Sequence, residues 1–166
     1  MPIRAYRTDD LDAVHAINQA EVPAVGSVSA DELAHIASES TIALVADIDG
    51  RIAGFCLVLP PAADYGSSNY TWFADRYDDF VYLDRVAIAP AFQRRGVGRV
   101  LYADVERLAL RLRPTAGHLL LEVNLRPRNE TSLAFHAELG FVEVGRRDTD
   151  HGVTVAMLAK GLIATV

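Results

Sequence analysis

The chain has 166 residues, which is enough for one buried core and too few for two domains of ordinary size, so we expect one domain over residues 1–166. Apolar residues make up 51% and charged residues 23%, a composition that excludes an intrinsically disordered chain. The net charge of -6 argues against a nucleic-acid partner, and the single cysteine, Cys56, excludes an internal disulfide.

The first third of the chain predicts strands and helices in alternation. Asp49-Gly50 between two β-rich runs is a strong hairpin signal, and Ser29 with Glu32 has the spacing of a capping box at a helix start. The predicted elements are a strand over residues 3–6, a helix opening at Thr8, a helix opening at Ser29, and hairpin strands over residues 41–48 and 51–59.

Residues 60–79 interrupt this pattern and are predicted to form a long loop. Two adjacent prolines open it, and Tyr65, Asn69, Tyr70, Trp72 and Phe73 lie within it. A loop this long inside a small domain is usually functional or disordered. Its aromatic content favours an ordered loop with a function.

The second half of the chain predicts a further alternation of strands and helices. Its elements are a strand over residues 80–89, a helix over 97–112, a strand over 119–123, a helix from Asn129 to a C-cap at Gly140, and strands over 141–146 and 153–158. This order indicates a mixed α+β sheet with flanking helices. The strand-helix-strand unit around residues 97–112 should be parallel and right-handed.

Two kinds of signal are missing from the sequence. No basic region followed by an apolar run marks a signal peptide, and no apolar stretch reaches membrane-spanning length, so we expect a soluble, cytoplasmic protein without a membrane partner. His15, His35, His118 and His151 are scattered without metal-ligand spacing. We therefore predict no metal.

A glycine-containing segment, Gln93-Arg94-Arg95-Gly96-Val97-Gly98, opens the helix at residue 97. The two glycines let the backbone approach a ligand closely, and the unpaired N–H groups of a helix N-terminus favour an anion. A dinucleotide fingerprint needs a third glycine where Leu101 stands, and a Walker loop needs Gly-Lys-Ser/Thr, so neither fits. The segment indicates a pyrophosphate cradle; the alternative is an ordinary glycine turn with solvated arginines.

A second motif begins at Asn129 and ends in Leu139-Gly140-Phe141. On a helix, Asn129, Ser132 or Leu133, and His136 fall near one face, and the first and last lie about 10 Å apart. A polar stripe of this length suits an extended ligand arm.

Together the two motifs resemble the GNAT (Gcn5-related N-acetyltransferase) superfamily: Gln-x-x-Gly-x-Gly after the fourth strand, then asparagine, a seven-residue step to a hydrogen-bonding side chain, and Leu-Gly-Phe. The likeness covers the element order of residues 3–158 and is most specific in residues 81–141. Leu121-Glu122-Val123 is similar to the ribosomal-protein-acetylating and generic amine-acetylating members. The resemblance implies an acyl-CoA N-acyltransferase fold, a mostly antiparallel α/β sandwich whose parallel fourth and fifth strands splay apart.

The resemblance also implies acetyl-CoA as cosubstrate. The cradle amides would hold its pyrophosphate, the fourth strand would offer an N–H to the thioester carbonyl, and the pantetheine would run from Asn129 towards His136. The arginine side chains either reach the phosphates or are solvated. The implied coenzyme-binding residues are Val86, Ala87, Ile88, Gln93, Arg94, Arg95, Gly96, Val97, Gly98, Arg99, Asn129 and Ser132.

His136 is the candidate general acid, because it stands where the family most often has tyrosine. The alternative is a packing or capping histidine. A second departure from the family is the segment 124–128, which is about two residues longer than the usual link and could reshape the acceptor mouth.

Asp84 is the candidate general base, because a carboxylate inside an apolar strand requires a partner or a task. By strand alternation it should share a face with Tyr82, Val86 and Ile88, while Arg85 points the other way. The alternative for Asp84 is an ion pair. Tyr82 is the substitute for either catalytic role.

The resemblance implies acetyl transfer to a primary amine, of a small molecule or a peptide, by direct attack in a ternary complex. The alternative is an acyl-CoA-binding sensor or regulatory module without turnover. Glu122 is predicted as a structural hydrogen-bond acceptor, with a substrate role left open. The aromatic side chains of the loop 60–79 are expected to line an acceptor pocket, or else to cover a core edge or a dimer interface. A homodimer is possible.

Overall fold

A seven-stranded sheet organises the fold of residues 2–163, the part of the chain that the computed structural model describes. The strands are β1 (Ile3–Ala5), β2 (Ile42–Ile48), β3 (Arg51–Leu59), β4 (Val81–Ile88), β5 (His118–Arg126), β6 (Val142–Asp148) and β7 (Thr154–Gly161). They lie in the order β1-β2-β3-β4-β5-β7-β6, and only β4 and β5 are parallel neighbours. The predicted mixed, mostly antiparallel sheet with a parallel fourth and fifth strand is confirmed.

Helices cover both faces of the sheet. They are α1 (Leu11–Ala20), α2 (Ala30–Glu39), α3 (Ser68–Ala74), α4 (Val97–Leu112) and α5 (Glu130–Glu138). Two 3-10 turns, Thr8–Asp10 and Pro90–Phe92, precede α1 and the α4 region. Within residues 2–163, no helix combines the length and apolar character that a membrane span requires.

Two hydrophobic cores, one on each face, separate the helices into two groups. Val14, Leu33 and Phe73 bring α1, α2 and α3 into one core, and Leu101 brings α4 into the other, against which Phe135 of α5 packs. We call these sides the α1–α3 face and the α4–α5 face. Successive strand residues alternate between these two faces, except where a bulge shifts the alternation.

Several local signals fold as predicted. The Ser29 hydroxyl accepts a hydrogen bond from the Glu32 N–H (3.1 Å), which caps α2 as predicted. The Glu32 carboxylate accepts from the Ser29 hydroxyl (3.2 Å) and not from the Ser29 N–H, so only one half of the capping box forms. Asp49 and Gly50 have φ values of 52° and 79°, as a tight hairpin turn requires. Helix α4 has the predicted bounds.

The prediction of a loop over residues 60–79 is wrong in its centre, where α3 forms. The Ser67 hydroxyl accepts from the Tyr70 N–H (3.4 Å) and caps the helix. Tyr70 and Phe73 are buried in the α1–α3 core, where the Tyr70 ring meets the Tyr82 ring edge to face. A helix of seven residues spans only two turns, so its apolar period is too short to recognise.

Strand β5 is longer than predicted. It was expected over residues 119–123 but extends from His118 to Arg126, because β7 pairs with it as far as Arg126↔Thr154. The segment 124–128, which is longer than the usual link of the family, is therefore strand as far as Arg126.

Helix α3 contacts β6 where Trp72 packs against Gly145. This contact can be tested by a substitution at Gly145. A Cβ atom added at Gly145 would lie 2.6 Å from Trp72 Cζ2, so Gly145→Ala displaces the indole and should cost about 1–3 kcal/mol of unfolding free energy. Trp72 is the single tryptophan, so its fluorescence reports the displacement.

Gly66→Ala is the matched control, since nothing lies within 4 Å of a Cβ atom there. Unchanged denaturation midpoint and Trp72 emission in the Gly145→Ala protein would show that α3 does not depend on this contact.

Candidate active site

The parallel strands β4 and β5 are hydrogen-bonded over a very short length. Their described pairs are Val81↔Leu119 and Tyr82↔Leu120, and the strands diverge beyond them. Backbone N–H groups of alternate β4 residues after Tyr82 consequently face β5 without a strand partner. A cleft of about 1270 Å³ opens between the two strands and reaches both faces of the sheet.

A β-bulge interrupts β4 at Asp84. Leu83 pairs with Val58 and Arg85 pairs with Leu57, so Asp84 is an extra residue with no partner on β3. A bulge of this kind bends its strand and redirects the side chains that follow.

The bulge corrects the predicted faces of β4. Tyr82 lies in the core of the α1–α3 face, whereas Val86 and Ile88 pack against the core of the α4–α5 face. The expectation that Asp84 shares one face with all three by simple alternation is wrong, because the extra residue shifts the alternation by one.

Asp84 is the centre of a buried polar network. Its Oδ1 accepts from the Tyr65 hydroxyl (2.5 Å) and its Oδ2 from Arg85 Nε (2.7 Å), so Arg85 does not point away from it as expected. Arg85 Nη1 also donates to the Asn18 side chain (2.9 Å) and the Gly26 carbonyl (3.2 Å). The network ties α1, the loop after it and the segment before α3 to the bulge.

A second network surrounds Glu122 of β5, which is partly buried. Its Oε2 accepts from the Tyr82 hydroxyl (2.6 Å) and its Oε1 from Asn69 Nδ2 (3.2 Å). Burial raises the pKa of Glu122 to about 7, and burial beside this carboxylate raises the pKa of Tyr82 well above its usual value. Tyr82 therefore stays a protonated donor, while Glu122 titrates near neutrality.

The cradle before α4 has the geometry for an anion. Gly96 is the N-cap of α4 with φ 82°, and Arg94 before it also has a positive φ of 62°. Nothing lies within 4 Å of a Cβ atom added at Gly96, and at Gly98 only Phe135 is near, at 3.5 Å. The first N–H groups of α4 consequently face open space at the positive end of the helix dipole, which fits a pyrophosphate.

All the predicted coenzyme-binding residues line the cleft except Arg95. The lining residues among them are Val86, Ala87, Ile88, Gln93, Arg94, Gly96, Val97, Gly98, Arg99, Asn129 and Ser132. The Arg95 guanidinium lies over the Phe92 ring instead, and the Arg99 side chain pairs with Glu138. Gln93 donates to Glu21 (2.8 Å) and to the Ile88 carbonyl (3.1 Å), so its side chain braces the cradle.

The polar stripe of α5 forms, but its members have protein partners. Asn129 Oδ1 accepts from the Ser132 N–H (3.2 Å) and caps α5. His136 Nδ1 lies 2.7 Å from the Ser132 carbonyl, and Nε2 lies 2.6 Å from the Tyr102 hydroxyl. Since a carbonyl only accepts, the proton of neutral His136 is on Nδ1, and Tyr102 donates to Nε2.

Tyr102 is a cleft residue that the sequence did not reveal. It lies on the inward face of α4, where an aromatic residue has the pattern of any core position. Burial lowers the pKa of His136 and raises that of Tyr102, so the neutral pair is favoured. Both side chains line the cleft from the α4–α5 face.

A group of possible metal ligands lies outside the cleft. One ligand atom each from His35, Glu39 and Asp64 falls within 4.8 Å of the others near the surface. His35 Nε2 is already 2.8 Å from the Asp64 carbonyl oxygen. The prediction that no metal is needed stays a prediction.

Comparison with known proteins is consistent with this geometry. The sequence model of the acetyltransferase (GNAT) family matches residues 11–141. No curated protein sequence matches the chain.

Solved structures share the fold at low sequence identity. Ard1 from Thermoplasma volcanium is similar with a TM-score of 0.80 and 17% identity, over 98% of each chain. The ribosomal-protein-S18-alanine N-acetyltransferase from Escherichia coli has a TM-score of 0.75 and 21% identity, over 99% of this chain and 96% of its own. The yncA structure from Salmonella typhimurium, solved with its cofactor acetyl-CoA, has a TM-score of 0.72 and 18% identity, over 100% of this chain and 96% of its own.

The family model spans well over half of the chain, and the solved structures share its fold. The protein is therefore an acyltransferase that belongs to the GNAT family of acetyltransferases.

Proposed function

We propose that the protein transfers acetyl from acetyl-CoA to a primary amine by direct attack in a ternary complex. The observation that carries this proposal is the cleft between β4 and β5, which joins Glu122 on the α1–α3 face to His136 on the α4–α5 side. Two substrates that enter from opposite faces can meet in this opening. Cys56 is buried, and burial raises the pKa of its thiol to about 12, which argues against an acetyl-cysteine intermediate.

The coenzyme would bind on the α4–α5 face and supply the activated acetyl group. The N–H groups at the start of α4 suit its pyrophosphate, and the NH2 group of Asn129 is available for a pantetheine amide because Oδ1 caps α5. Unpartnered N–H groups of β4 in the range 83–88 suit the thioester carbonyl, where they would stabilise a developing oxyanion.

We propose Glu122 as the general base. A base near pKa 7 can accept a proton from an ammonium at neutral pH, directly or through a water, and Glu122 has no basic side chain within salt-bridge distance among residues 2–163. Asp84 stays a predicted base, but it forms a buried ion pair with Arg85, and Glu122 forms none with the described residues. Its proposed task is to hold the bulge and Tyr65 in place.

We keep His136 as the source of the proton for the leaving sulfur and add Tyr102 as its partner. Neutral Nε2 accepts from the Tyr102 hydroxyl; after Nε2 takes a proton from solvent it donates to the Tyr102 oxygen instead, which frees the phenolic proton for the sulfur. The Nε2 proton passes to the Tyr102 oxygen while the phenolic proton passes to sulfur. His136 returns to its neutral form and takes up its next proton from solvent, while the amine proton leaves through Glu122.

The acceptor is a small-molecule or peptide amine in this proposal, and the homodimer and the cytoplasmic location remain predictions. The alternative function is an acyl-CoA sensor without turnover. No observation in the cleft favours the sensor, because a sensor has no use for a carboxyl group with a pKa near 7 beside the opening.

Thiol release from acetyl-CoA separates the two functions. We expect release that depends on an added amine from a panel of amino acids, polyamines, aminoglycosides and short peptides. Gly98→Val places a branched side chain in the cradle and should abolish release, whereas Ala103→Val, on the exposed side of the same helix, should not. Tight binding of acetyl-CoA without release of thiol for any amine would favour the sensor.

The pH dependence of kcat/KM tests the base. Glu122 must lose its proton to act as a base. The value of kcat/KM should therefore rise as pH rises through about 7 and reach a plateau once Glu122 is deprotonated. Glu122→Gln should remove that rise and lower kcat/KM by about 100- to 10,000-fold. Asp84→Asn should keep the rise. If instead only Asp84→Asn removed it, the base would be Asp84.

A double-mutant cycle tests the proton source. His136→Phe and Tyr102→Phe should each lower kcat by about 100-fold or more with little change in acetyl-CoA affinity, since each interrupts the same transfer. The double variant should be no slower than the slower single variant. Normal turnover of His136→Phe would contradict the assignment of His136. Additive losses of kcat in the double variant would show that His136 and Tyr102 act independently and not in one proton transfer.

A further inference from the structure

Arg147 of β6 differs from the other buried and partly buried basic residues that the structure describes. Arg4, Arg85, Arg113 and Lys160 each pair with a carboxylate. Arg147 has no carboxylate within salt-bridge distance in the part of the chain from residue 2 to residue 163. Its Nη1 donates to the amide oxygen of Asn69. A partly buried guanidinium with four further N–H donors has capacity for an anion.

The sheet register places Arg147 on the same face as the proposed base. Arg147 pairs with Val155, which lies in the α1–α3 core and lines the cleft. Glu122 pairs with Met157 of the same core. Directly opposite residues of an antiparallel pair share a face. Arg147 and Glu122 are therefore on the α1–α3 face, where the proposed acceptor enters.

Asn69 fixes the distance between the two charged groups. It accepts from Arg147 through its oxygen and donates to Glu122 Oε1 through its nitrogen. Two hydrogen bonds and the width of one primary amide put the guanidinium and the carboxylate at most about 8 Å apart. An acceptor whose ammonium and carboxylate groups lie about 3 Å apart, with a hydrogen bond at each end, spans about the same distance.

We propose that the acceptor is an amino acid, whose amine faces Glu122 while its carboxylate binds Arg147. The inference rests on the proposed acetyl transfer and names its substrate class. The carboxylate supplies the anion that Arg147 lacks, and the ammonium supplies the cation that Glu122 lacks. A polyamine or an aminoglycoside would leave Arg147 uncompensated next to a second cation. An internal peptide position or a long peptide would place an uncharged amide there.

The test compares L-amino acids with the matched amino-acid amides, which differ only in the charge that Arg147 would bind. We expect kcat/KM for the preferred amino acid to exceed that for its amide by at least about tenfold, as for a charged hydrogen-bonded contact. Arg147→Gln should lower kcat/KM for the amino acid by about 10- to 100-fold and leave the amide within about twofold. Arg147→Lys should retain part of the preference.

Arg146→Gln is the matched control, because Arg146 is exposed, pairs with Glu143 and lies on the opposite face, across from Ala156 of the α4–α5 core. The Arg146→Gln variant should have unchanged kcat/KM for both the amino acid and its amide. Equal losses for the amino acid and its amide in Arg147→Gln would assign Arg147 a structural role and overturn the inference. Acetylation of polyamines, aminoglycosides or peptides alone would overturn it and leave acetyl transfer standing. Absence of thiol release with every amine would overturn both.

Discussion

The loss of pairing between β4 and β5 is the constraint on which the rest of the structure depends. Each strand keeps a partner on its other side, β3 for β4 and β7 for β5, so the sheet stays intact while its centre opens. The opening leaves backbone N–H groups without a strand partner, and buried groups of this kind require a ligand or water. A gap in the hydrogen-bond ladder thus provides both the space and the donors of the site.

The two faces of the opening supply different chemistry. On the α4–α5 face, the N-terminus of α4 forms the cradle, and a histidine-tyrosine pair lines the same cleft. On the α1–α3 face, Glu122 accepts from Tyr82 and Asn69 and has no ion-pair partner in the described part of the chain, so burial sets its raised pKa. Asp84 is held by Tyr65 and by its ion pair with Arg85. The bulge at Asp84 lets one strand contribute to both faces, because Tyr82 before it lies on the α1–α3 face and Val86 after it lies on the α4–α5 face.

Sequence patterns predicted the parts that depend on local physics. The bounds of α4, the Ser29 cap of α2 and the glycine cradle follow from helix periodicity, side-chain caps and backbone freedom near Gly96. The site depends on pairs that are far apart in sequence. Tyr102 meets His136 across 34 positions and Asn69 meets Glu122 across 53. The bulge is also invisible in a single strand, because it exists only relative to the register of β3.

A structure determined with acetyl-CoA tests most directly the claim that the acetyl group lies in the opening between the two faces. The account predicts the pyrophosphate against the N–H groups at the start of α4, the thioester carbonyl within hydrogen-bond distance of a β4 N–H, and the acetyl group turned towards Glu122. A coenzyme that bound along another surface, or whose thioester stayed outside the space between β4 and β5, would contradict it.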